Sequence, residues 1–122
     1  MSDKAREYLK DGIVCIYAQL LPRIREAGEK LGYAIALHGS MRRDLDLIAV
    51  PWVDNAASAE ELVRMIQEKL NGFVVGDKMQ RPNLNNEIEH PTIQPHGRKS
   101  WNICFGGHPV VDLSVMPRNE GK

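Results

Sequence analysis

The sequence predicts an α+β fold in which a mixed β-sheet has its helices packed on one face. Two segments, residues 4–31 and 58–72, carry apolar residues at helical spacing. Five shorter segments have the composition and the alternation of strands, which gives the order α-β-β-α-β-β-β. A chain of 122 residues has room for one core, so residues 1–122 are expected to form a single domain.

The first half of the chain is expected to hold a long helix and two strands. The helix over 4–31 contains Pro22, which should kink or restart it, and Gly32 should end it. Strands then follow at 33–39 and 44–52, the second of them closed by a proline.

The second half begins with the helix over 58–72, where Ser58 and Glu61 form a capping-box pattern and Gly72 is a stop signal. No third helix is predicted. Residues 77–98 show no periodicity and read as one long loop. Three further strands are predicted, at 73–76, 99–105 and 109–116. The last two should form a hairpin, because a Gly-Gly-His turn joins them.

The composition excludes several classes of protein. Lys plus Arg and Asp plus Glu number 16 each, so the chain has no overall basic field for non-specific nucleic-acid or membrane binding. No apolar stretch is long enough for a membrane span, and the N-terminus is charged where a signal peptide would be apolar. Cys15 and Cys104 are single and lie in apolar runs, as small buried hydrophobes do. We expect a cytoplasmic protein with no membrane partner.

Three aspartates lie on strands that otherwise present an aliphatic face. Asp44 and Asp46 share one face of their strand, and the apolar residues of 45–49 share the other. Asp112 lies in the same way opposite the aliphatic face of 111–115. Charges that alternate along a strand can also keep an exposed sheet edge soluble, which is the alternative explanation for the first pair.

Neighbouring strands would bring these three carboxylates within a few ångströms of one another. Like charges at that distance raise each other's pKa unless a cation lies between them. Carboxylate oxygens suit Mg²⁺ or Mn²⁺, and Mg²⁺ usually completes its coordination with water and phosphate oxygens. The sequence therefore predicts that Asp44, Asp46 and Asp112 form a divalent-metal site and that the bound metal contacts phosphate groups.

These motifs resemble the nucleotidyltransferase superfamily with the DNA polymerase β-like palm, in a minimal single-domain form. The family signature is a strand ending in Gly-Ser, a strand with two alternating aspartates, and a carboxylate on a later strand. Gly39, Ser40, Asp44, Asp46 and Asp112 match it in order. The resemblance implies that Gly39 and Ser40 hold a nucleoside triphosphate, that the paired aspartates bind Mg²⁺ or Mn²⁺, and that Asp112 helps to activate the attacking hydroxyl. The chain is also similar to short bacteriophage-borne proteins.

The chain departs from the family pattern at the phosphate-binding turn. Only Met41, Arg42 and Arg43 separate the Gly-Ser pair from the first aspartate, so the turn is shorter than the family usually has. We expect Arg42 and Arg43 to replace lost amide contacts with charge-assisted ones, although arginines beside aspartates are as often surface ion pairs. Arg98 and Lys99 are candidate phosphate or acceptor contacts, with a solvated strand entry as the alternative.

The predicted function is metal-dependent nucleotidyl transfer from a nucleoside triphosphate to an unknown hydroxyl acceptor on a protein, a small molecule or a nucleic acid. Only ten residues follow Asp112. The base and the acceptor should therefore be recognised by the 77–98 loop, by a second subunit of a homo-oligomer, or by a partner protein. Two alternatives stay open. One is a catalytically inactive palm that binds nucleotide or protein, and the other is a hydrolase using the same carboxylates.

Overall fold

The computed structural model describes residues 3–39, 44–71, 73–75, 90–104 and 110–118, with side chains described except in 3–16 and 73–75. Two helices and six strands are present in these ranges. In chain order they are α1 (Asp3–Leu31), β1 (Tyr33–Leu37), β2 (Leu45–Pro51), α2 (Ala59–Leu70), β3 (Phe73–Val75), β4 (Thr92–Ile93), β5 (Lys99–Cys104) and β6 (Val110–Val115).

The predicted α+β class is confirmed, and the predicted loop over 77–98 is wrong in its last third. There the short strand β4 pairs with β5, and a single 3₁₀ turn spans Pro95–Gly97. Neither element has enough residues to show a period, so periodicity could not reveal them. Residues 76–89 lie outside the described part of the chain.

Local chemistry accounts for the ends of both helices. α1 continues through Pro22 as one element and ends at Leu31. The next residue, Gly32, has a φ of +88°, which a residue with a Cβ rarely adopts. At the start of α2 the Ser58 hydroxyl accepts a hydrogen bond from the Glu61 N–H at 3.2 Å, as the capping pattern predicts. The left-handed residue that ends α2 is Asn71, one position before the predicted Gly72, which lies outside the described residues.

The described strands form one mixed sheet in the order β1-β2-β6-β5-β3, and β4 lies beside β3 on the same edge of β5. β2 and β6 run parallel, whereas the other neighbours are antiparallel. Asp46 is in register with Asp112 across the parallel pair, and Asn102 of β5 is in register with Asp112 on its other side. β5 and β6 pair along their whole length, which agrees with the predicted hairpin, although residues 105–109 lie outside the described ranges.

The two faces of the sheet differ in what covers them. One face is covered by α1 and α2, and its side chains are buried: Leu45, Leu47 and Ala49 of β2, Val111, Leu113 and Val115 of β6, and Trp101 and Ile103 of β5. The opposite face has no helix on it in the described part of the chain, and it carries Asp46, Asp112 and Asn102. No described helix has both the length and the apolar character that a membrane span requires.

Candidate metal centre

The two parallel strands bring the three predicted carboxylates together. Asp44 immediately precedes β2, Asp46 is its second residue, and Asp112 lies beside Asp46 on β6. One oxygen from each carboxylate lies within 4.8 Å of the others, and all three residues are half-buried. The residues that flank Asp46 and Asp112 along the strands hold the backbone in place, because they are inaccessible to solvent: Leu45, Leu47, Val111 and Leu113.

An exposed sheet edge does not explain these charges. β2 pairs with β1 on one side and with β6 on the other, so both of its hydrogen-bonding edges are used. β6 is likewise covered on both edges, by β2 and β5. Charges that protect an edge strand from pairing have no such role on the two central strands of a sheet.

The cluster perturbs the titration of its own members. Burial raises the pKa of the Asp112 carboxyl above its usual range, and the negative charges of Asp46 and Asp44 raise it further. Burial likewise raises the pKa of Asp46, with a smaller contribution from Asp44. His38 opposes the shift at both carboxyls, and the positive charge of Arg98 opposes it at Asp112. The fold therefore holds three carboxylates at a cost that a cation would relieve.

The spacing of the oxygens fits one small divalent ion. With metal–oxygen distances of about 2.0–2.1 Å, octahedral ligands lie roughly 3–4 Å apart. The observed limit of 4.8 Å is close enough for small side-chain rotations to close the remaining gap. A site built only of carboxylate oxygens suits Mg²⁺ or Mn²⁺ better than a metal that prefers nitrogen or sulfur.

The end of β1 approaches the same cluster. The His38 N–H donates to the backbone carbonyl of Asp46 at 2.9 Å, which continues the β1–β2 pairing and places His38 across from Asp46. Gly39 follows with a φ of +78°, and a Cβ at that position would lie 2.5 Å from Asp46 Oδ2. Only a glycine therefore lets the chain pass beside this carboxylate.

Three residues near the cluster were not singled out by the sequence. His38 lies beside Asp46, and Asn102 lies beside Asp112 in the antiparallel register.

The third residue, Tyr17 of α1, is buried, and its hydroxyl donates a hydrogen bond to the Val110 carbonyl at 3.5 Å, where β6 begins. Burial raises the pKa of the Tyr17 phenol, and Asp44 and Asp46 raise it further. The position of Tyr17 among apolar residues at helical spacing gave no indication of this contact. The polar Asn102 within an apolar strand was a usable sequence signal.

Arg98 and Lys99, which the sequence grouped as candidate phosphate contacts, lie on opposite sides of the sheet. The Arg98 guanidinium donates to Ser114 Oγ at 3.2 Å and to the Pro95 carbonyl, and it acts electrostatically on Asp112. Lys99 is in register with buried Val115 on the helix-covered side and forms an ion pair with Glu60 at 3.0 Å. Arg98 thus shares the face of the carboxylates, and Lys99 does not.

The remaining predicted nucleotide-binding residues, Ser40, Arg42 and Arg43, lie outside the described residues. Comparison of the chain with protein-family models, with curated proteins and with solved structures gave no match.

Proposed function

We propose that this protein catalyses divalent-metal-dependent nucleotidyl transfer from a nucleoside triphosphate to a hydroxyl acceptor. The observation that carries the proposal is the cluster of Asp44, Asp46 and Asp112, whose oxygens lie within 4.8 Å of one another on the open face of the sheet. In such a reaction the acceptor oxygen forms a bond to the α-phosphorus, and the bond to the β-phosphate oxygen breaks. Pyrophosphate leaves, and the proton of the hydroxyl passes to a base.

The metal would be held by the three aspartates. When bound, Mg²⁺ or Mn²⁺ neutralises charge on the phosphates and on the attacking and leaving oxygens. Three protein ligands leave several positions of an octahedron for phosphate and water oxygens, which is the usual arrangement for Mg²⁺ on nucleotide substrates.

The side chains around the cluster support a phosphate-binding role. Arg98 provides a guanidinium on the same face, where it can donate charge-assisted hydrogen bonds to phosphate oxygens. The missing Cβ of Gly39 lets the Asp46 carboxylate lie directly against the backbone of this glycine, which belongs to the Gly-Ser pair expected to hold the triphosphate. Ser40, Arg42 and Arg43 extend this edge in sequence. Lys99 is not part of the proposal, because it lies across the sheet.

A nucleotide-binding module without turnover is the second candidate function. It is favoured by the spacing of the motif, since three residues alone separate Ser40 from Asp44. A turn this short offers fewer backbone amides to orient a triphosphate than the family pattern does, and orientation contributes much of the rate of phosphoryl transfer. Binding would survive such a loss more readily than catalysis.

One set of measurements separates the candidates. The wild-type chain is incubated in Mg²⁺ or Mn²⁺ with each of the four common ribonucleoside triphosphates and with an acceptor of each class: a protein mixture, RNA with a free 3′-hydroxyl, and a small polyol. Pyrophosphate, phosphate and label transferred from the α-phosphate are followed separately. Nucleotidyl transfer predicts pyrophosphate release and transferred label, both lost in Asp46→Asn. Release of phosphate instead would indicate a hydrolase. Metal-dependent binding by calorimetry without product would indicate the binding module, and no binding at millimolar triphosphate would refute both proposed functions.

A further inference from the structure

At β1 the sheet has an edge that no other described strand covers. β1 is the terminal strand of the described sheet and pairs only with β2. Its sequence, Tyr-Ala-Ile-Ala-Leu, contains no charge and no proline, which are the usual devices that keep an edge from pairing. Ala34 and Ala36 are exposed and small, so another backbone can approach this edge closely.

The hydrogen-bond pattern fixes which groups of β1 point outward. The Trp52 N–H donates to the Gly32 carbonyl, and the His38 N–H donates to the Asp46 carbonyl. Antiparallel strands alternate between hydrogen-bonded and non-hydrogen-bonded pairs, so the even-numbered residues of β1 face β2. The N–H and C=O groups of Ile35 and Leu37 therefore point away from β2, at the open edge.

We infer that a second copy of this chain occupies this edge, with the two β1 strands antiparallel about a two-fold axis at Ile35. This axis pairs the whole strand with itself: Ile35 faces the partner's Ile35, and Leu37 faces the partner's Tyr33. An interface of this kind is isologous, which is the commonest arrangement in homodimers.

Charge complementarity supports this register. Gly28 of α1 lies against Ile35, because a Cβ on Gly28 would be 2.7 Å from Ile35 Cδ1. Arg25 and Glu29 lie on either side of Gly28 along α1, and both line the groove of about 510 Å³ beside β1. Among the described side chains neither of them forms an ion pair. A two-fold axis at the level of Ile35 places Arg25 toward the partner's Glu29, and the reverse contact forms at the same time.

The exposed apolar side chains agree with the same axis. Trp52 is 78% exposed and Val53 is 45% exposed, and both line the groove where β1 begins. Leu37, at the other end of β1, is 40% exposed. Antiparallel pairing brings the partner's Leu37 to the end that holds Trp52 and Val53, so three of the largest exposed apolar side chains on each copy become covered.

The inferred dimer has a consequence for the carboxylate clusters. A two-fold axis normal to the sheet keeps both helix layers on one side and both open faces on the other. From strand spacings of about 4.8 Å and a rise of about 3.4 Å per residue, the two Asp46 positions lie roughly 25 Å apart on one continuous surface. Each dimer thus presents two clusters to the same side.

The test measures the mass of the full chain in solution by light scattering and sedimentation over a dilution series. The wild type should have twice the 13.7 kDa mass of one chain. In the proposed register Ala34 lies opposite the partner's Ala36, so Ala34→Glu/Ala36→Glu places like charges face to face twice. That variant should be monomeric with an unchanged circular dichroism spectrum.

The matched control is Ala34→Lys/Ala36→Glu, which changes the same two exposed positions but places opposite charges face to face. It should restore the dimer, and its dimerisation should weaken as salt is raised. A wild-type chain that stays monomeric at every concentration would overturn the inference. So would a glutamate pair that still dimerises, or a lysine–glutamate pair that does not, because either result puts the interface at another surface or register.

Discussion

Removing one charge from the carboxylate cluster should stabilise the metal-free protein. Asp112 is the member on β6, and its negative charge faces those of Asp44 and Asp46. The Asp112→Asn variant keeps the size of the side chain and removes the repulsion. Without divalent ions we therefore expect it to unfold at a higher temperature than the wild type, which is the opposite of the usual effect of a substitution in a half-buried site.

The magnitude follows from the distances. Two unit charges 4.8 Å apart repel by about 0.9 kcal/mol in water and by about 3.5 kcal/mol at an effective dielectric constant of 20. A half-buried pair lies between these limits, and His38 and Arg98 offset part of the repulsion. We expect a gain of about 1–3 kcal/mol in the free energy of unfolding, or roughly 3–6 °C in melting temperature for each kcal/mol in a domain of this size.

The matched control is Asp54→Asn, which removes a charge from an exposed turn. Its free energy of unfolding should stay within about 0.5 kcal/mol of the wild type.

Added metal should stabilise the wild type. If the cluster binds Mg²⁺ or Mn²⁺, the free energy of unfolding rises by about 2.7 kcal/mol at a metal concentration one hundred times the dissociation constant. Asp112→Asn loses a ligand, and a tenfold weaker site would gain only about 1.4 kcal/mol at that concentration.

The refuting result is specific. Thermal melts of all three proteins, with chelator and with added metal, measure both effects. Equal gains on adding metal for the wild type and Asp112→Asn would show that the cluster is not a metal site. A lower melting temperature of Asp112→Asn in chelator would show that repulsion among the carboxylates does not destabilise the metal-free protein. A gain in Asp54→Asn equal to that of Asp112→Asn would assign the effect to net charge instead.

The same reasoning predicts how the metal-free protein responds to pH. The folded-state pKa values of Asp46 and Asp112 are raised, so in the range between the unfolded value of 3.8 and the folded value the native state binds more protons than the unfolded state. The destabilisation caused by the charged carboxylates is absent below the unfolded-state pKa and is complete above the folded-state pKa. The advantage of Asp112→Asn over the wild type should therefore shrink as the pH falls toward the unfolded value, as melts in chelator across acidic pH will measure.

Two further predictions use matched pairs of residues. Gly39→Ala should destabilise the protein more than Gly97→Ala and should weaken metal binding in calorimetry. Both glycines have a positive φ. A Cβ at Gly39, however, would lie 2.5 Å from the Asp46 carboxylate, whereas a Cβ at Gly97 would lie 3.6 Å from its nearest neighbouring atom. Equal effects would remove the argument from close approach. Arg98→Ala should weaken binding of a nucleoside triphosphate in Mg²⁺ by about 1.5–3 kcal/mol, whereas Lys99→Ala should leave it unchanged, since the two cations lie on opposite sides of the sheet. A larger effect at Lys99 would contradict the placement of the phosphates.

The position of the carboxylates could be predicted from the sequence because a strand has a period of two. Once residues 45–49 and 111–115 are recognised as aliphatic on one side, the aspartates must point to the other. What the period does not give is the partner of each strand. The parallel pairing of β2 with β6 joins segments that are far apart in the chain, and it alone turns three separate aspartates into one cluster.

Other features escaped prediction for reasons of length or of register. β4 and the turn at Pro95–Gly97 are too short to show a pattern. Arg98 and Lys99 are adjacent in sequence, so composition cannot separate them, but the strand begins at Lys99 and sends the two side chains to opposite sides. The role of β1 as an edge strand follows from the order of the sheet, which local sequence does not encode.

The cluster breaks a local rule that the rest of the sheet obeys. Like charges opposite each other on neighbouring strands destabilise a sheet, and Asp46 faces Asp112 directly at its centre. Immediately beneath them, the inward-facing residues of both strands are fully buried, so packing holds the two strands in a register that their charges oppose. Sequences agree with their folds at every level except where function requires otherwise, and the exceptions mark the functional site. By that criterion the described residues point to the open face around Asp46 and Asp112, and a ligand that carries positive charge is the partner that would make the arrangement stable.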